Sequence, residues 1–254
     1  MDFSKFGLGH ITNIDIVEKP KQSQEKKADE GTKIEDVVYQ RKVKCPLCFK
    51  EFTTSTIRVG KNQLSKVDDD LRGHYSIIDP VYYDVIHCEC GYTAINKAFD
   101  RLLPTQKAAI REQIIANFVP IPLQEIRSAE YALDLYQLAL LTAVIKKAKN
   151  TERAIICLRI AWLYNDLKDA EHEKEYLLNA YQCFKEALNV DSFPILDYDF
   201  HRAIYVTAVL AYKCGNYDES LRLIGNIIID KNLNPKLKER CFDLKNNIKK
   251  AQSK

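Results

Sequence analysis

No stretch of this chain is apolar for long enough to cross a bilayer as a helix. The most apolar candidate, Tyr131 to Ile145, is interrupted by Asp134 and Gln137, and a span needs about 20 predominantly apolar residues. A large charge of one sign is lacking too. A net charge of +3 on 254 residues is too small to argue for nucleic acid by itself. Catalytic signatures are missing: no phosphate loop, no glycine-rich nucleotide turn and no Ser/His/Asp set can be found. His10, His74, His87, His172 and His201 stand beside no recognisable nucleophile motif. The start, Met1-Asp2-Phe3-Ser4-Lys5, lacks the basic opening and apolar core of a secretory segment. A cytoplasmic protein is expected, in which thiols stay reduced. Glycine and proline are scarce in the second half, where none occurs from Ser128 until Pro194, Gly215 and Gly225. That scarcity predicts long helices.

What is present is a set of paired cysteines. Cys45-Pro46-Leu47-Cys48 and Cys88-Glu89-Cys90-Gly91 read as the two halves of one four-sulfur zinc site. A Cys-x-x-Cys bend turns both sulfurs to one side, and Pro46 stiffens it because its φ is already fixed. Gly91 supplies the left-handed conformation that such a turn often needs, whereas the first turn has Phe49 in that place. The second pair is one residue shorter, but residues i and i+2 of a strand share a face. His87 is the rival to Cys88, because His87 to Cys90 restores the two-residue gap. A closed set of four ligands leaves no position for substrate, so the zinc is expected to be structural. The other four cysteines, Cys157, Cys183, Cys214 and Cys241, are read as small buried hydrophobes.

The order of segments predicts an α+β chain: a small N-terminal β zinc ribbon, then an all-α tetratricopeptide-like repeat domain. Residues 1–36 read as a flexible N-terminal segment and linker. Within it, 2–17 is an apolar segment with two readings, folding back onto its own domains or docking on another protein, and Glu18 to Gly31 is a Lys/Glu/Gln-rich tether. Residues 37–103 make the ribbon, with strands over Val37 to Lys44, Phe52 to Val59 and Val81 to Ile86. Asp68-Asp69-Asp70 reads as a solvated loop, and His74 as a surface or partly packed residue rather than a ligand. Residues 104–127 form a connecting helix, Thr105 to Phe118, and a proline-containing linker. The helical domain covers 128–254.

That domain repeats itself. Ala180, Phe184, Ala187 and Leu188 have the same spacings as Ser220, Ile224, Ile227 and Ile228. Small residues at the first place let two helices approach closely, and the larger ones fill the gap. Gly215-Asn216-Tyr217-Asp218-Glu219-Ser220-Leu221 looks like the turn inside a tetratricopeptide unit.

The chain resembles the bacterial domain-of-unknown-function family 2225. The residues that carry the resemblance are Cys45 to Cys48, Asp79-Pro80-Val81-Tyr82-Tyr83-Asp84-Val85 and Cys88 through Gly91-Tyr92-Thr93-Ala94. Leu158-Arg159-Ile160-Ala161-Trp162-Leu163-Tyr164 and Gly215-Asn216-Tyr217 add to it. The resemblance implies a paired-cysteine ribbon joined to a tetratricopeptide-like half. Its members usually have Gly at the place of Phe49 and a full Cys-x-x-Cys at the second turn. Aligning Asp79 to Cys88 without gaps puts Cys88, not His87, in the ligand place.

These readings predict a non-enzymatic adaptor that binds an unidentified protein partner through a helical groove. The repeat register lines that groove with Trp162, Arg202, Tyr205, Tyr212 and Lys213, residue types favoured as interface anchors. The alternative is a nucleic-acid-binding ribbon using Arg41, Lys42, Lys44, Lys50, Arg58, Lys61 and Lys66, with Phe52 stacking on a base. An enzyme without a recognisable motif is the third reading.

Overall fold

The computed structural model describes residues 33–253. The candidate docking segment 2–17 and the tether after it lie outside the described residues. A single helical turn, α1 (Ile34–Val37), leads into the antiparallel pair β1 (Val38–Lys44) and β2 (Glu51–Ile57). Val38 faces Ile57 and Lys44 faces Glu51, so the connection between the strands is the first cysteine turn. A second hairpin pairs β3 (Leu64–Val67) with β4 (Gly73–Tyr75), with a register irregularity between Leu64 and Lys66. A third pairs β5 (Val85–His87) with β6 (Thr93–Ile95) across the second cysteine turn.

The sequence pattern overstated β5. Residues 81–86 read as one aromatic, β-branched strand, but Pro80–Tyr83 form a 3-10 turn and the strand begins only at Val85. Pro80 stands at the start of that turn, where its fixed φ suits a helical conformation. The turn is held from outside. The Arg127 N–H donates to the Tyr83 hydroxyl (3.1 Å), and the Tyr136 hydroxyl donates to the Val81 carbonyl (2.9 Å).

Helix α2 (Pro104–Gln113) ends earlier than its apolar pattern suggests, and Ile115–Asn117 continue as a 3-10 turn. Then follow α3 (Ala129–Ile145), α4 (Asn150–Asp166), α5 (Ala170–Val190), α6 (Phe200–Lys213), α7 (Tyr217–Ile228) and α8 (Pro235–Gln252). Ser128, Asp169, Asp199 and Asn234 cap α3, α5, α6 and α8 by accepting backbone N–H groups, the role for which short polar side chains are favoured.

From α3 onward each helix packs on the next. Three of the intervening turns are closed in the same way. Lys147, Lys168 and Gly215 adopt positive φ. The N–H after each one donates to a carbonyl five residues back: Ala148 to Ala143 (2.8 Å), Asp169 to Tyr164 (3.0 Å) and Asn216 to Ala211 (2.8 Å). This is the Schellman closure, which satisfies orphan helix carbonyls. The doubled spacing is matched by burial. Ala180, Phe184 and Ala187 are buried and Leu188 half-buried; Ser220, Ile224 and Ile227 are buried and Ile228 half-buried. The Ser220 hydroxyl, at the small-residue position, donates to the Ala208 carbonyl (2.7 Å).

Two cores result. The larger unites α3–α8 with Val85 and Ile95 of the third hairpin and Val81 and Ala98 of the 3-10 turns flanking it. The smaller gathers Cys45, Leu47, Ile86, Cys88, Tyr92, Ala94 and Phe99 under Ile110 of α2 and Ile114 just past its end. Each fully buried large side chain contributes about 1.5–3 kcal/mol, so the larger core dominates the driving force. β5 and β6 belong to both cores, and the described residues form one compact unit.

Candidate metal centre and the cleft beside it

Two turns of different length deliver the sulfurs. In the first, the Cys45 N–H donates to the Lys50 carbonyl (2.9 Å) and the Phe49 N–H donates back to the Cys45 carbonyl (3.0 Å). Phe49 closes the turn at φ 63°, a conformation that costs a side chain about 1–2 kcal/mol. In the second, the Cys88 N–H donates to the Tyr92 carbonyl (2.9 Å) and the Gly91 N–H to the Cys88 carbonyl (2.8 Å). Its closing hydrogen bond spans one residue fewer, which accommodates the shortened Cys-x-Cys. Gly91 takes φ 95°. A Cβ there would stand 2.5 Å from Cγ of Phe118, so the ring sits directly on the glycine.

The four sulfurs of Cys45, Cys48, Cys88 and Cys90 lie within 4.8 Å of one another. Cys45 to Cys90 is 3.8 Å and Cys48 to Cys88 is 3.6 Å. A disulfide requires about 2.05 Å, and all four thiols are free. Four thiolates about 2.3 Å from a central ion form a tetrahedron with edges of about 3.8 Å, so the quartet fits one metal ion. Crowding splits the acidities. The neighbouring Cys88 and then Cys90 sulfurs hold the Cys45 thiol well below its usual range. Cys88 is pushed up, and Cys90 is pushed up to about 12, chiefly because each donates to Cys45. Sulfurs this close can all be thiolates only around a cation.

His87 does not join the quartet. Its Nδ1 lies 2.7 Å from the Thr93 hydroxyl, and its ring is tilted against Phe118 at 5.6 Å. Burial, helped by the charge of Arg127, lowers its pKa to about 4. The strand alternation explains this. His87 is the last residue of β5, and Cys88 is the first residue of the turn.

A family model described as "Uncharacterized protein conserved in bacteria (DUF2225)" matches residues 38–248. The chain belongs to that family. No curated protein and no solved structure matches it. The DUF2225 match runs through the ribbon and nearly all of α8, so both cores lie inside it. No helix among the described residues is long and apolar enough to cross a membrane.

In this DUF2225 member the helical face meets its own ribbon. The Asp68–Asp70 loop, expected to be solvated, is in part buried: Asp70 is only 2 % exposed. Its carboxylate accepts from Trp162 Nε1 (3.1 Å) and from Lys213 Nζ (2.5 Å). Arg240 of α8 donates to the Asp68 carbonyl (2.9 Å). Arg72, four-square in the same hairpin, donates to the Trp162 carbonyl (2.9 Å) and to the carboxylates of Asp79 (3.1 Å) and Asp166 (2.6 Å). The β3–β4 hairpin is thus clasped by α4, α6 and α8. Desolvation is offset here because every buried charge has an opposite partner.

The groove residues fare differently from one another. Tyr205 is in the core, with 1 % exposure. Tyr212 is half-buried against Tyr217, ring centroids 5.7 Å apart. Lys213 and the Trp162 N–H are engaged by Asp70. Arg202 is exposed; its guanidinium stands 5.8 Å over the Tyr198 ring and, among the described residues, donates only to the Asp197 carbonyl (3.3 Å). Trp162 and Arg202 both line a cleft of about 520 Å³ between ribbon and helices. Ile57, Leu64, Leu71 and Tyr75 form its ribbon wall.

Of the basic ribbon residues, Lys42, Lys44, Lys50 and Lys61 are exposed, and three others have partners. Lys66 pairs with Asp68 (2.6 Å), Arg41 donates to Asn96 Oδ1 (2.6 Å), and Arg58 sits over Tyr39 (5.3 Å). Phe52, the candidate for base stacking, turns its edge onto Phe99 at 6.2 Å. Arg72 was missed by sequence reasoning. The signal available was its place beside three aspartates, which a solvated-loop reading leaves without a role.

Proposed function

We propose that the protein is a non-enzymatic adaptor in which a structural zinc ion fixes the ribbon as one wall of a binding cleft. The other wall is a stack of helix pairs of the tetratricopeptide kind; the doubled burial pattern and the repeated turn closure support that likeness. The quartet of thiols favours zinc, which takes closed tetrahedral sulfur sites without redox chemistry. The occupant of the cleft is a segment of a partner protein that carries an acidic side chain flanked by apolar ones. One observation carries this reading: Arg202 presents a guanidinium with no carboxylate partner among the described residues, at the edge of an apolar, Trp- and Tyr-lined cleft of about 520 Å³. Arginine in such a setting is a favoured carboxylate anchor.

The test is affinity capture from the native bacterium with wild type and Arg202→Glu, quantified by mass spectrometry. Arg202 is exposed, so the variant should keep its melting temperature. The expected result is one acidic-motif protein retained by wild type and lost at least about tenfold by the variant, since a charge-assisted contact is reversed. A partner set identical for both proteins rejects the cleft. Metal analysis of the purified protein should return one zinc per chain, and a different metal or none rejects the zinc assignment.

A further inference from the structure

We infer that a second site, separate from the cleft, lies under the β1–β2 hairpin and takes a small oxyanion that carries at least one O–H, of the hydrogen-phosphate kind. A polar cavity of about 190 Å³ opens there, lined by Thr54, His87, Glu125 and Arg127 among others.

Arg127 is the first reason. It is 6 % exposed. Its guanidinium donates to the carbonyls of Tyr82 (3.1 Å) and Val85 (2.9 Å) and to the Thr54 hydroxyl (3.3 Å), and it stands 5.3 Å over the Tyr83 ring. Every one of those partners is neutral. No carboxylate among the described residues forms an ion pair with it, and its Nε finds no acceptor. Other arginines with little exposure differ: the buried Arg72 pairs with Asp79 and Asp166, and the half-buried Arg159 with Asp84. A buried cation without a counter-charge is expensive, and a cavity beside it is where the missing anion fits.

His87 is the second and independent reason. It is 3 % exposed and lines the same cavity. The Thr93 hydroxyl lies 3.1 Å from the Gly91 carbonyl, to which it can donate, and 2.7 Å from His87 Nδ1, which can then donate to it. Nε2 is left as a bare lone pair with no partner. The cavity therefore combines a cation lacking an anion with an acceptor lacking a donor. Water can supply hydrogen bonds to both but no charge. A hydrogen-phosphate group meets both needs: its ionised oxygens accept from Arg127, and its hydroxyl donates to His87. Sulfate, with no proton near neutral pH, meets only the first. Glu125 is exposed and holds a negative charge at the cavity wall, which works against the anion.

Calorimetric titration of the full-length protein at fixed ionic strength tests this with inorganic phosphate, sulfate and a small phosphate monoester. Saturable one-to-one phosphate binding is expected, about tenfold or more tighter than sulfate, as befits a buried hydrogen bond to a charged group. Glu125→Gln should tighten phosphate about threefold by removing a like charge. Arg127→Met should abolish binding. That variant also loses three protein hydrogen bonds, so the Glu125→Gln result stands as the control that does not depend on its folding. Above its second pKa of about 6 a monoester carries no O–H, so it should bind like sulfate, and a monoester as tight as the free ion would overturn the O–H requirement. No saturable phosphate binding, equal affinity for sulfate, or no change in Glu125→Gln would overturn the site.

Discussion

The ribbon and the helical half close their turns with the same backbone device, yet they depend on it to different degrees. Both use a residue at positive φ: Phe49 and Gly91 beside the cysteines, Lys147, Lys168 and Gly215 between helices. In the helical half such a turn only joins two elements that already bury a continuous apolar face, such as Ala180, Phe184 and Ala187. In the ribbon the paired strands are three residues long in β5 and β6, too short to hold themselves. There the turn is what places the sulfurs, and the ion they can hold substitutes for a large core.

The sharpest way to break that contrast is to remove the metal. Chelation, or Cys48→Ser with Cys90→Ser, should forfeit about 10 kcal/mol or more of binding energy that is also folding energy. Hydrogen exchange read by mass spectrometry should lose protection over residues 38–95 while α4 to α7 stay protected. Equal loss in both regions would mean that the ribbon and helices unfold as one and that the contrast is wrong.

A smaller effect compares two glycines. Gly91→Ala and Gly215→Ala both force a side chain to positive φ, costing about 1–2 kcal/mol each. An added Cβ meets nothing within 4 Å at Gly215 but stands 2.5 Å from Phe118 at Gly91. Overpacking of that kind costs about 1–3 kcal/mol more. Melting of the two variants should therefore show Gly91→Ala as the more damaged, and equal melting temperatures would remove the special status of the metal turn.

The smallest effect has the opposite sign. Phe49 is 61 % exposed at φ 63°, so Phe49→Gly relieves strain and surrenders little burial. A gain of about 0.5–1 kcal/mol is expected, less than the full strain because glycine also loosens the unfolded chain. That corresponds to a melting temperature higher by roughly 1–4 °C. A lower one would show that the Phe49 ring packs on something that matters.

How far the sequence could be read follows from how local each cause is. The cysteine turns are local, since spacing brings both sulfurs of a pair to one side of a bend. The repeat is local as well, because a small residue followed by three apolar ones at fixed spacing defines a helix face. The 3-10 turn at Pro80–Tyr83 was not legible, because the same aromatic residues suit a strand, and the bonds that decide between the two come from Tyr136 and Arg127. Asp70 was misread for a similar reason. Its partners Trp162 and Lys213 lie far along the chain, and an aspartate run without them is soluble loop.

The sequence by itself determined an α+β order of elements, the two close cysteine pairs and the doubled helix register, because each follows from contacts made within a few residues. Only the tertiary structure decided that Cys88 rather than His87 faces the other thiols, and that an acidic hairpin closes over the helical face. It also decided that Arg127 is buried with no counter-charge among the described residues. Those outcomes depend on which distant side chains share one low-dielectric space, and Coulomb energy and desolvation act through that space rather than along the chain.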